Sequence, residues 1–287
     1  MKKILITGQN SYIGNQFEEW VSQWPDDYQI TKISVRNDDW KNQNWNTYDV
    51  ILNVAGIAHQ KITKENENDY YKVNRDLAVS LANKTKDEGV TQFIQTSTMS
   101  VFGKNRGEIT EKTTLEPKSA YGQSKMEADN LIMKLQESNF IVSIVRPPMV
   151  YGYKSPGNYR SLSHFSKITP IFPNYDNKRS MIYIKNLSEF FRSLIDTKSA
   201  GYFYPQNREL VKTSEMVKKI AEVNNKRMYL IKFVNPLIKL LSNVNIVQKV
   251  FGNLYYHSSM SNFEELNYSV FEFNESIILS EKENSNA

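Results

Sequence analysis

The stretch KILITGQNSYIGNQF, residues 3–17, predicts a strand, a glycine-containing turn and a helix in immediate succession. Residues 3–7 are a short apolar run that ends at Gly8, and the apolar residues of 12–23 recur at helical spacing. Gly8 permits a tight turn, and Gly14 permits close packing of the helix on the strand. This arrangement is typical of the first unit of a doubly wound α/β fold.

The alternation of short apolar runs and longer amphipathic stretches continues through the first half of the chain. Further strands are predicted at 28–35, 49–56, 92–98 and 140–147, and further helices at 66–89 and 120–138. Repeated strand–helix–strand units produce a parallel sheet with helices on both faces. We therefore predict an α/β fold, a doubly wound parallel Rossmann sheet with a smaller C-terminal substrate-binding lobe.

The pattern loosens after about residue 150, where Gly and Pro residues interrupt the apolar periodicity. We expect residues 1–150 to form the nucleotide-binding domain and residues 151–287 mainly the second lobe. Part of the chain after 175 is expected to return to the first domain. Residues 235–251 are predicted to form one apolar helix covering the second lobe, with an interfacial membrane helix as the alternative.

Composition excludes several classes of protein. The 287 residues are 40% hydrophobic and include no Cys, which argues against a disordered chain and excludes disulfides and cysteine nucleophiles. The three His residues have no metal-ligand spacing, so no metal is predicted. No apolar run approaches the ~18–20 residues of a membrane span, so we expect a cytoplasmic protein without membrane insertion. A net charge of +5 is too small to predict nucleic-acid binding.

The pair Tyr121 and Lys125 is the first candidate for catalysis, because residues four apart lie on one face of a helix. An unperturbed Tyr has a pKa of about 10, and a neighbouring ammonium lowers that pKa by stabilising the phenolate. Such a Tyr can exchange a proton with a carbonyl or hydroxyl oxygen during hydride transfer.

A cluster of hydroxyl side chains at residues 96–100 follows a predicted strand. Ligands of doubly wound sheets bind at the carboxyl ends of the strands. A hydroxyl here, about two dozen residues before Tyr121, is placed to hydrogen-bond the reacting oxygen. Capping of the strand end is the alternative role for Thr96 and Ser97.

Together these motifs resemble the extended short-chain dehydrogenase/reductase superfamily, in its sugar-nucleotide epimerase/dehydratase branch. The resemblance covers nearly the whole chain and rests on seven motifs, which are TGQNSYIG (7–14), NVAG (53–56), VNRDLA (73–78), the hydroxyl cluster, YGQSK (121–125), RPPMVYG (146–152) and RSMIYIKNL (179–187). Ser11 replaces the middle glycine of the family's phosphate-binding turn. Closest are bacterial capsule and O-antigen reductases that act on UDP-4-keto-6-deoxy-hexosamines.

The resemblance implies a role for each matching residue. Thr98 would bind the oxygen at C4 of the sugar, Tyr121 would be the acid/base, and Lys125 would tune Tyr121 and hold the nicotinamide ribose. The residues implied to bind the cofactor are Gly8, Asn10, Ser11, Tyr12, Ile13, Arg36, Ala55, Gly56, Asn74, Tyr121, Lys125 and Pro148. A purely structural role is the alternative for Asn74. Those implied to bind the substrate, a UDP-sugar, are Thr98, Met99, Asn158 and Arg179. A homodimer through the helices at 66–89 and 120–138 is also implied.

Two departures from the family narrow the expected reaction. The family's 4,6-dehydratases carry an Asp–Glu pair directly after the Thr, where this chain has Met99 and Ser100. Members that combine 3,5-epimerisation with reduction use a Cys, which is absent here. Reduction of a 4-keto group and 4-epimerisation remain, and a non-catalytic dinucleotide-binding regulator is the third alternative.

The end of the second strand bears on the choice of cofactor. An Asp or Glu at this point typically binds the ribose of NAD, whereas here Arg36 stands near the strand end. An Arg can pair with the 2′-phosphate of NADP, although Asp38 or Asp39 could instead reach the ribose. We therefore predict NADP(H), with NAD(H) as the alternative, and hence a reductase with a 4-epimerase as the alternative.

Overall fold

The structure, a computed structural model, describes residues 1–58, 62–263 and 266–282. Its strands in chain order are β1 (Lys2–Thr7), β2 (Tyr28–Ile33), β3 (Val50–Asn53), β4 (Gln92–Thr96), β5 (Gly107–Ile109), β6 (Ile141–Val145), β7 (Met149–Tyr151), β8 (Ile171–Pro173), β9 (Met181–Tyr183), β10 (Gly201–Phe203), β11 (Tyr229–Ile231) and β12 (Leu254–Tyr256). Its α-helices are α1 (Tyr12–Val21), α2 (Glu67–Tyr71), α3 (Ala78–Asp87), α4 (Ala120–Met133), α5 (Asn158–Ile168), α6 (Ile184–Thr197), α7 (Thr213–Val223), α8 (Asn235–Leu240), α9 (Asn245–Phe251) and α10 (Phe273–Lys282).

Six parallel strands form the central sheet, in the order β10-β6-β4-β3-β1-β2. From β1 the chain first adds β2 on one side and then returns to add β3 on the other. The predicted doubly wound α/β fold is therefore confirmed. Ligands of such sheets bind at the point where the strand order reverses, which here is the carboxyl edge between β1 and β3.

Helices cover both faces of this sheet, so its central strands are buried and mainly apolar. On one face α1 packs on α6, and the rings of Phe17 and Phe191 meet edge to face with centroids 6.1 Å apart. On the other face Leu81 of α3 and Ile132 of α4 are fully buried in one core with Phe93 of β4. Burial on both faces explains why the strands read as continuous apolar runs.

The chain after residue 150 does not form a separate layer throughout. Helix α6 packs on α1, and β10 pairs with β6 at the edge of the central sheet. The remaining strands form three parallel pairs, which are β5 with β12, β7 with β9 and β8 with β11. The division of the chain at about residue 150 stays a prediction.

Two predicted helices differ from the structure. The helix at 66–89 changes geometry along its length, because a π-helical segment, Lys72–Leu77, lies between α2 and α3. The single helix predicted at 235–251 is wrong, since α8 ends at Leu240 and α9 begins at Asn245. Ser242 and Asn243 lie in the break, and such side chains compete with helical backbone hydrogen bonds. Within the described ranges no helix is both long and apolar enough to cross a bilayer.

A buried ion pair joins α4 to the sheet. The Arg146 Nε lies 2.9 Å from the Asp129 Oδ2, and their side chains are 3% and 0% exposed. The Ser97 hydroxyl donates to the same carboxylate oxygen at 2.7 Å. The Arg146 guanidinium also stacks on Tyr202, 4.3 Å from the ring centroid. This contact fixes α4 against the ends of β4 and β6.

Removing one partner of this pair leaves a buried charge without its counter-charge. We expect Asp129→Ala to lower the free energy of unfolding by about 3–5 kcal/mol, measured by urea denaturation. The matched control is Glu222→Ala, whose half-exposed carboxylate lies 3.8 Å from Lys218 and should contribute about 0–1 kcal/mol. Equal losses in the two variants would contradict the structural role given to Asp129.

Candidate active site

The turn after β1 forms one wall of a crevice at the carboxyl edge of the sheet. Gly8 has a φ of +97°, and a Cβ on it would lie 3.1 Å from the backbone nitrogen of Ala55. Ser11 caps α1, because its side chain accepts a hydrogen bond from the Gly14 N–H at 3.0 Å. The first turn of α1 thus presents backbone N–H groups and the positive end of the helix dipole beside a glycine cradle. This arrangement fits the diphosphate of a dinucleotide.

A row of buried polar side chains crosses the same edge. The Thr7 hydroxyl donates to the Asn53 Oδ1 at 2.6 Å, and the Asn53 Nδ2 donates to the Gln95 Oε1 at 2.7 Å. The Ala55 N–H also donates to the Asn53 Oδ1, at 3.1 Å. We call Thr7, Asn53 and Gln95 the polar ladder. Sequence reasoning did not single it out, although each residue is a polar residue within or at the end of an apolar strand.

Lys125 lies deep at this edge, on α4. Its side chain is 5% exposed, and its Nζ donates to the Thr96 carbonyl oxygen at 2.9 Å. Burial lowers the pKa of Lys125 to about 8, against the opposing effect of the Asp129 carboxylate one turn further along α4. The pKa of Lys125 is therefore close to neutral pH, so its ammonium loses a proton more readily than that of an exposed lysine. The side chain lies next to the strand end that bears the hydroxyl cluster.

Tyr121 and Thr98, the two residues implied to contact the sugar oxygen, lie next to each other. Burial raises the pKa of the Tyr121 phenol, and a hydrogen bond with Thr98 opposes that rise. The predicted lowering of the Tyr121 pKa is wrong for this structure, because burial of the phenol raises that pKa while the Lys125 ammonium donates to the Thr96 carbonyl oxygen. Thr98 has extended backbone at the start of the 3₁₀ helix Met99–Phe102, and its hydroxyl accepts from the Ser100 N–H at 3.2 Å.

Asn74, predicted to bind cofactor, makes its hydrogen bonds to the protein. Its Oδ1 accepts from the Ile57 N–H at 2.8 Å, and its Nδ2 donates to the Ile57 carbonyl oxygen at 3.1 Å. A Cβ on Gly56 would lie 2.9 Å from that Oδ1 and 3.2 Å from the Lys125 Nζ. Asn74 therefore holds the loop after β3 at close range to Lys125. It lies in the π-helical segment, a geometry found often at functional sites.

The second strand ends next to the glycine turn. The Gly8 and Gln9 N–H groups both donate to the Ile33 carbonyl oxygen at 3.0 Å. Arg36 lies three residues beyond this point and is exposed, as are Asp38 and Asp39. A cation and two carboxylates therefore all follow the strand end where the cofactor ribose binds in this type of fold.

The predicted substrate residues lie in different settings. The Arg179 Nη1 donates to the carbonyl oxygens of Gln248 and Gly252, at 3.4 and 3.0 Å, and desolvation lowers its pKa. Asn158 is the first residue of α5 and is exposed. No contact among the described residues joins Asn158 to Arg179. Of the remaining predicted residues, Asn10 lies in the loop between β1 and α1, and Tyr12 and Ile13 are the first two residues of α1. Met99 and Pro148 lie beyond the carboxyl end of β6, where the Met99 N–H donates to the Pro147 carbonyl oxygen.

Comparison with known proteins agrees with this geometry. The model of the NAD-dependent epimerase/dehydratase family matches residues 4–202. A UDP-glucose 4-epimerase from Vibrio cholerae is 30% identical over 249 residues, which cover 77% of this chain and 75% of that protein. An N-acetyl-α-D-glucosaminyl-diphospho-ditrans,octacis-undecaprenol 4-epimerase from Escherichia coli O157:H7 is 24% identical, over 81% of this chain and 72% of that protein.

A solved structure extends the similarity to nearly the full chain. The dTDP-4-dehydrorhamnose reductase of Clostridium acetobutylicum superposes with a TM-score of 0.73, at 21% identity, and covers 97% of this chain and 98% of that one. At this identity the match shows a shared fold.

The position of Asn74 gives a direct test of the loop after β3. We expect Asn74→Ala to speed amide hydrogen exchange at residues 54–58 by roughly 5- to 100-fold, because partly buried backbone groups of Ile57 lose their hydrogen-bond partners. The affinity for nicotinamide dinucleotide should fall with it. Asn83→Ala is the control, since the Asn83 Nδ2 donates only within its own helix, to the Val79 carbonyl oxygen at 3.0 Å. Unchanged exchange in Asn74→Ala would contradict the assigned role.

Proposed function

Because the chain belongs to the NAD-dependent epimerase/dehydratase family, we propose that it is a 4-epimerase of a sugar carried on a diphosphate. It is an NAD(P)-dependent nucleotide-sugar enzyme of the epimerase and reductase type. The observation that carries the proposal is the hydrogen bond between Thr98, just after β4, and Tyr121 of α4, one turn before buried Lys125 of the same helix. Two 4-epimerases among the relatives favour epimerisation over the reduction predicted from sequence.

The residues around the site fit the nicotinamide cofactor that the family uses, because the first turn of α1 offers backbone N–H groups to its diphosphate and Gly8 and Gly56 let the two loops and Lys125 pack closely beside it. When bound, this cofactor supplies hydride acceptance from C4 and hydride return to it. Lys125 would hold the ribose, and Arg36, Ala55 and the first turn of α1 would line the rest of the cofactor.

Tyr121 exchanges the proton of the C4 oxygen in both directions. The raised pKa of Tyr121 favours the phenol, which donates a proton when the ketone is reduced. Oxidation of the hydroxyl requires the phenolate, and the ammonium of Lys125 favours that form. Thr98 hydrogen-bonds the same oxygen and so fixes the sugar relative to Tyr121.

The site argues against elimination of water. That reaction needs a further acid and base beside the reacting carbons. The residues after Thr98 are Met99, whose thioether neither gives nor takes a proton, and Ser100. A non-catalytic regulator is also disfavoured, because Thr98, Tyr121 and Lys125 are all present in hydrogen-bonded positions.

Reduction of the 4-keto group of a UDP-4-keto-6-deoxy-hexosamine is the second candidate. Arg36, an exposed cation beyond β2, suits the 2′-phosphate of NADP. NADP favours a reductase, since a reductase exchanges its cofactor in every turnover.

For either reaction we propose a cytoplasmic enzyme that forms a homodimer through α3 and α4, where Leu131 is exposed.

One assay separates the two reactions. An epimerase should interconvert the C4 epimers of UDP-glucose or UDP-N-acetylglucosamine, seen by NMR, without net change in absorbance at the NADH band. A reductase should oxidise NADPH only when a UDP-4-keto-6-deoxy-hexosamine is added. If the protein turns over neither type of substrate, both assignments are contradicted.

Removal of the Tyr121 hydroxyl tests the acid/base role. We expect Tyr121→Phe to lower kcat by about 10²–10⁴-fold with cofactor affinity nearly unchanged, because only the proton transfer is lost. Thr98→Val should lower kcat in the same direction. The control is Tyr48→Phe, which alters a partly buried Tyr packed against the core of Leu81, Phe93 and Ile132, and it should retain full activity. Retained activity in Tyr121→Phe would exclude the proposed mechanism.

Arg36 tests the cofactor preference. If it binds the 2′-phosphate, Arg36→Ala should weaken NADPH binding by roughly 10- to 100-fold, as expected for loss of a charge-assisted hydrogen bond. NADH, which lacks that phosphate, should bind the variant and the native protein alike in a fluorescence titration. Unchanged NADPH affinity would remove the argument for NADP and for the reductase.

A further inference from the structure

An exposed apolar surface around α8 and α9 has no role in the proposed reaction. Of the thirteen large apolar side chains that are exposed in the described residues, ten belong to α5, β8, β11 and the segment from Phe233 to Ile246. Phe233, Leu240 and Ile246 are 78%, 77% and 65% exposed. Large apolar patches of this kind mark sites of interaction with proteins or membranes.

These elements form one continuous surface. Strand β8 pairs with β11, so exposed Ile171 lies beside exposed Tyr229. The ring of Phe172 contacts Phe165 of α5 and Phe251 of α9, with centroids 5.7 and 5.6 Å apart. The Asn235 Nδ2 at the start of α8 donates to the Asn174 carbonyl oxygen just after β8, at 2.9 Å. We call this surface the α8–α9 face.

The α8–α9 face also has a distinct charge. Residues 223–263 contain no Asp or Glu, and five basic residues, Lys226, Arg227, Lys232, Lys239 and Lys249. All five are exposed, and none forms an ion pair with a described acidic residue. Since the whole chain has 36 basic and 31 acidic residues, the chain outside this segment is neutral overall. The excess of positive charge therefore lies in the segment that carries most of the exposed apolar side chains among the described residues.

We propose that the α8–α9 face docks on the surface of an anionic lipid bilayer. Exposed Leu, Ile and Phe side chains would enter the boundary between headgroups and acyl chains, while the surrounding Lys and Arg contact anionic headgroups. A bilayer surface needs no spanning helix, so short helices such as α8 and α9 are sufficient.

Charge favours a bilayer over a second copy of the chain. In a two-fold symmetric dimer the same patch faces itself, so the five cations of one copy would oppose those of the other. The acidic residue that lines the cavity beside α8 and α9, Asp176, already contacts Lys212 at 3.2 Å. An anionic surface satisfies both the apolar and the basic character of the face.

The position of the face relates it to the candidate active site. Residues of α8 and α9, including Ile238 and Gln248, line a cavity of about 500 Å³ with Arg106 and Tyr175. The Arg179 guanidinium donates to carbonyl oxygens at the end of α9. The family resemblance implies that Arg179 binds the substrate, so docking would bring this part of the proposed substrate site towards the lipid–water interface, where a diphosphate attached to a lipid would be reached. This last step rests on the proposed function.

Flotation of the full-length protein with lipid vesicles tests the docking. We expect binding to vesicles of equal parts phosphatidylglycerol and phosphatidylcholine, weakening with salt, and little binding to phosphatidylcholine alone. Leu240→Gln should reduce the partition coefficient roughly 10-fold or more, because an apolar side chain no longer enters the bilayer. Lys239→Gln should reduce it roughly fivefold. The controls Val270→Gln and Lys112→Gln change exposed residues outside the segment and should bind like the native protein.

The outcomes are distinct. Absence of binding to the anionic vesicles, or equal binding by Leu240→Gln and Val270→Gln, overturns the proposal. A native oligomer in sedimentation velocity that Leu240→Gln dissociates also overturns it, since a second copy would then cover the face. Thermal unfolding of each variant checks that it folds. Turnover of a water-soluble nucleotide sugar is measured in parallel, so failure of the docking and failure of the proposed function are separated.

Discussion

A row of hydrogen bonds between buried polar side chains fixes the edge of the sheet on which the rest of the site depends. Parallel strands leave their carboxyl ends together at one edge, where backbone and side-chain polar groups must find partners without water. Asn53 satisfies several of these groups at the centre of the edge, because its side-chain amide accepts from Thr7 and from the Ala55 backbone and donates to Gln95. The loop after β3 is thereby set against the Gly8 turn.

Helix α4 depends on the same edge and is held from two sides. In front, the Lys125 Nζ donates to the Thr96 carbonyl oxygen. Behind, Asp129 accepts from Ser97 and pairs with Arg146. Tyr121 therefore meets Thr98 through two rigid elements, a strand end and a helix, which is how precise catalytic geometry is maintained. The cost is the burial of three ionisable groups, and the lowered pKa of Lys125 is a direct consequence.

The strands outside the central sheet have a different physical character. They form separate parallel pairs, and β12 lies near the site by pairing with β5 and by the contact of Tyr256 with Phe102, with ring centroids 6.0 Å apart. Helix α9 directly precedes β12 and meets Arg179 at its end. One short run of chain, from α9 to β12, thus connects the candidate site to a basic outer surface that bears exposed apolar side chains.

The sequence alone determined the strand–helix alternation of the central sheet in the first half of the chain, the glycine turn and the spacing of Tyr121 and Lys125, because these follow from local periodicity and from backbone freedom at single residues. It also indicated Thr98 through its place after a strand. The polar ladder, the Asp129–Arg146 pair and the role of Asn74 join residues 17 to 50 positions apart, so only the tertiary structure decided them. The same holds for the break between α8 and α9, and for the exposure of their apolar residues. A periodic pattern shows that a stretch is amphipathic, but what covers its apolar side depends on the packing of the whole chain.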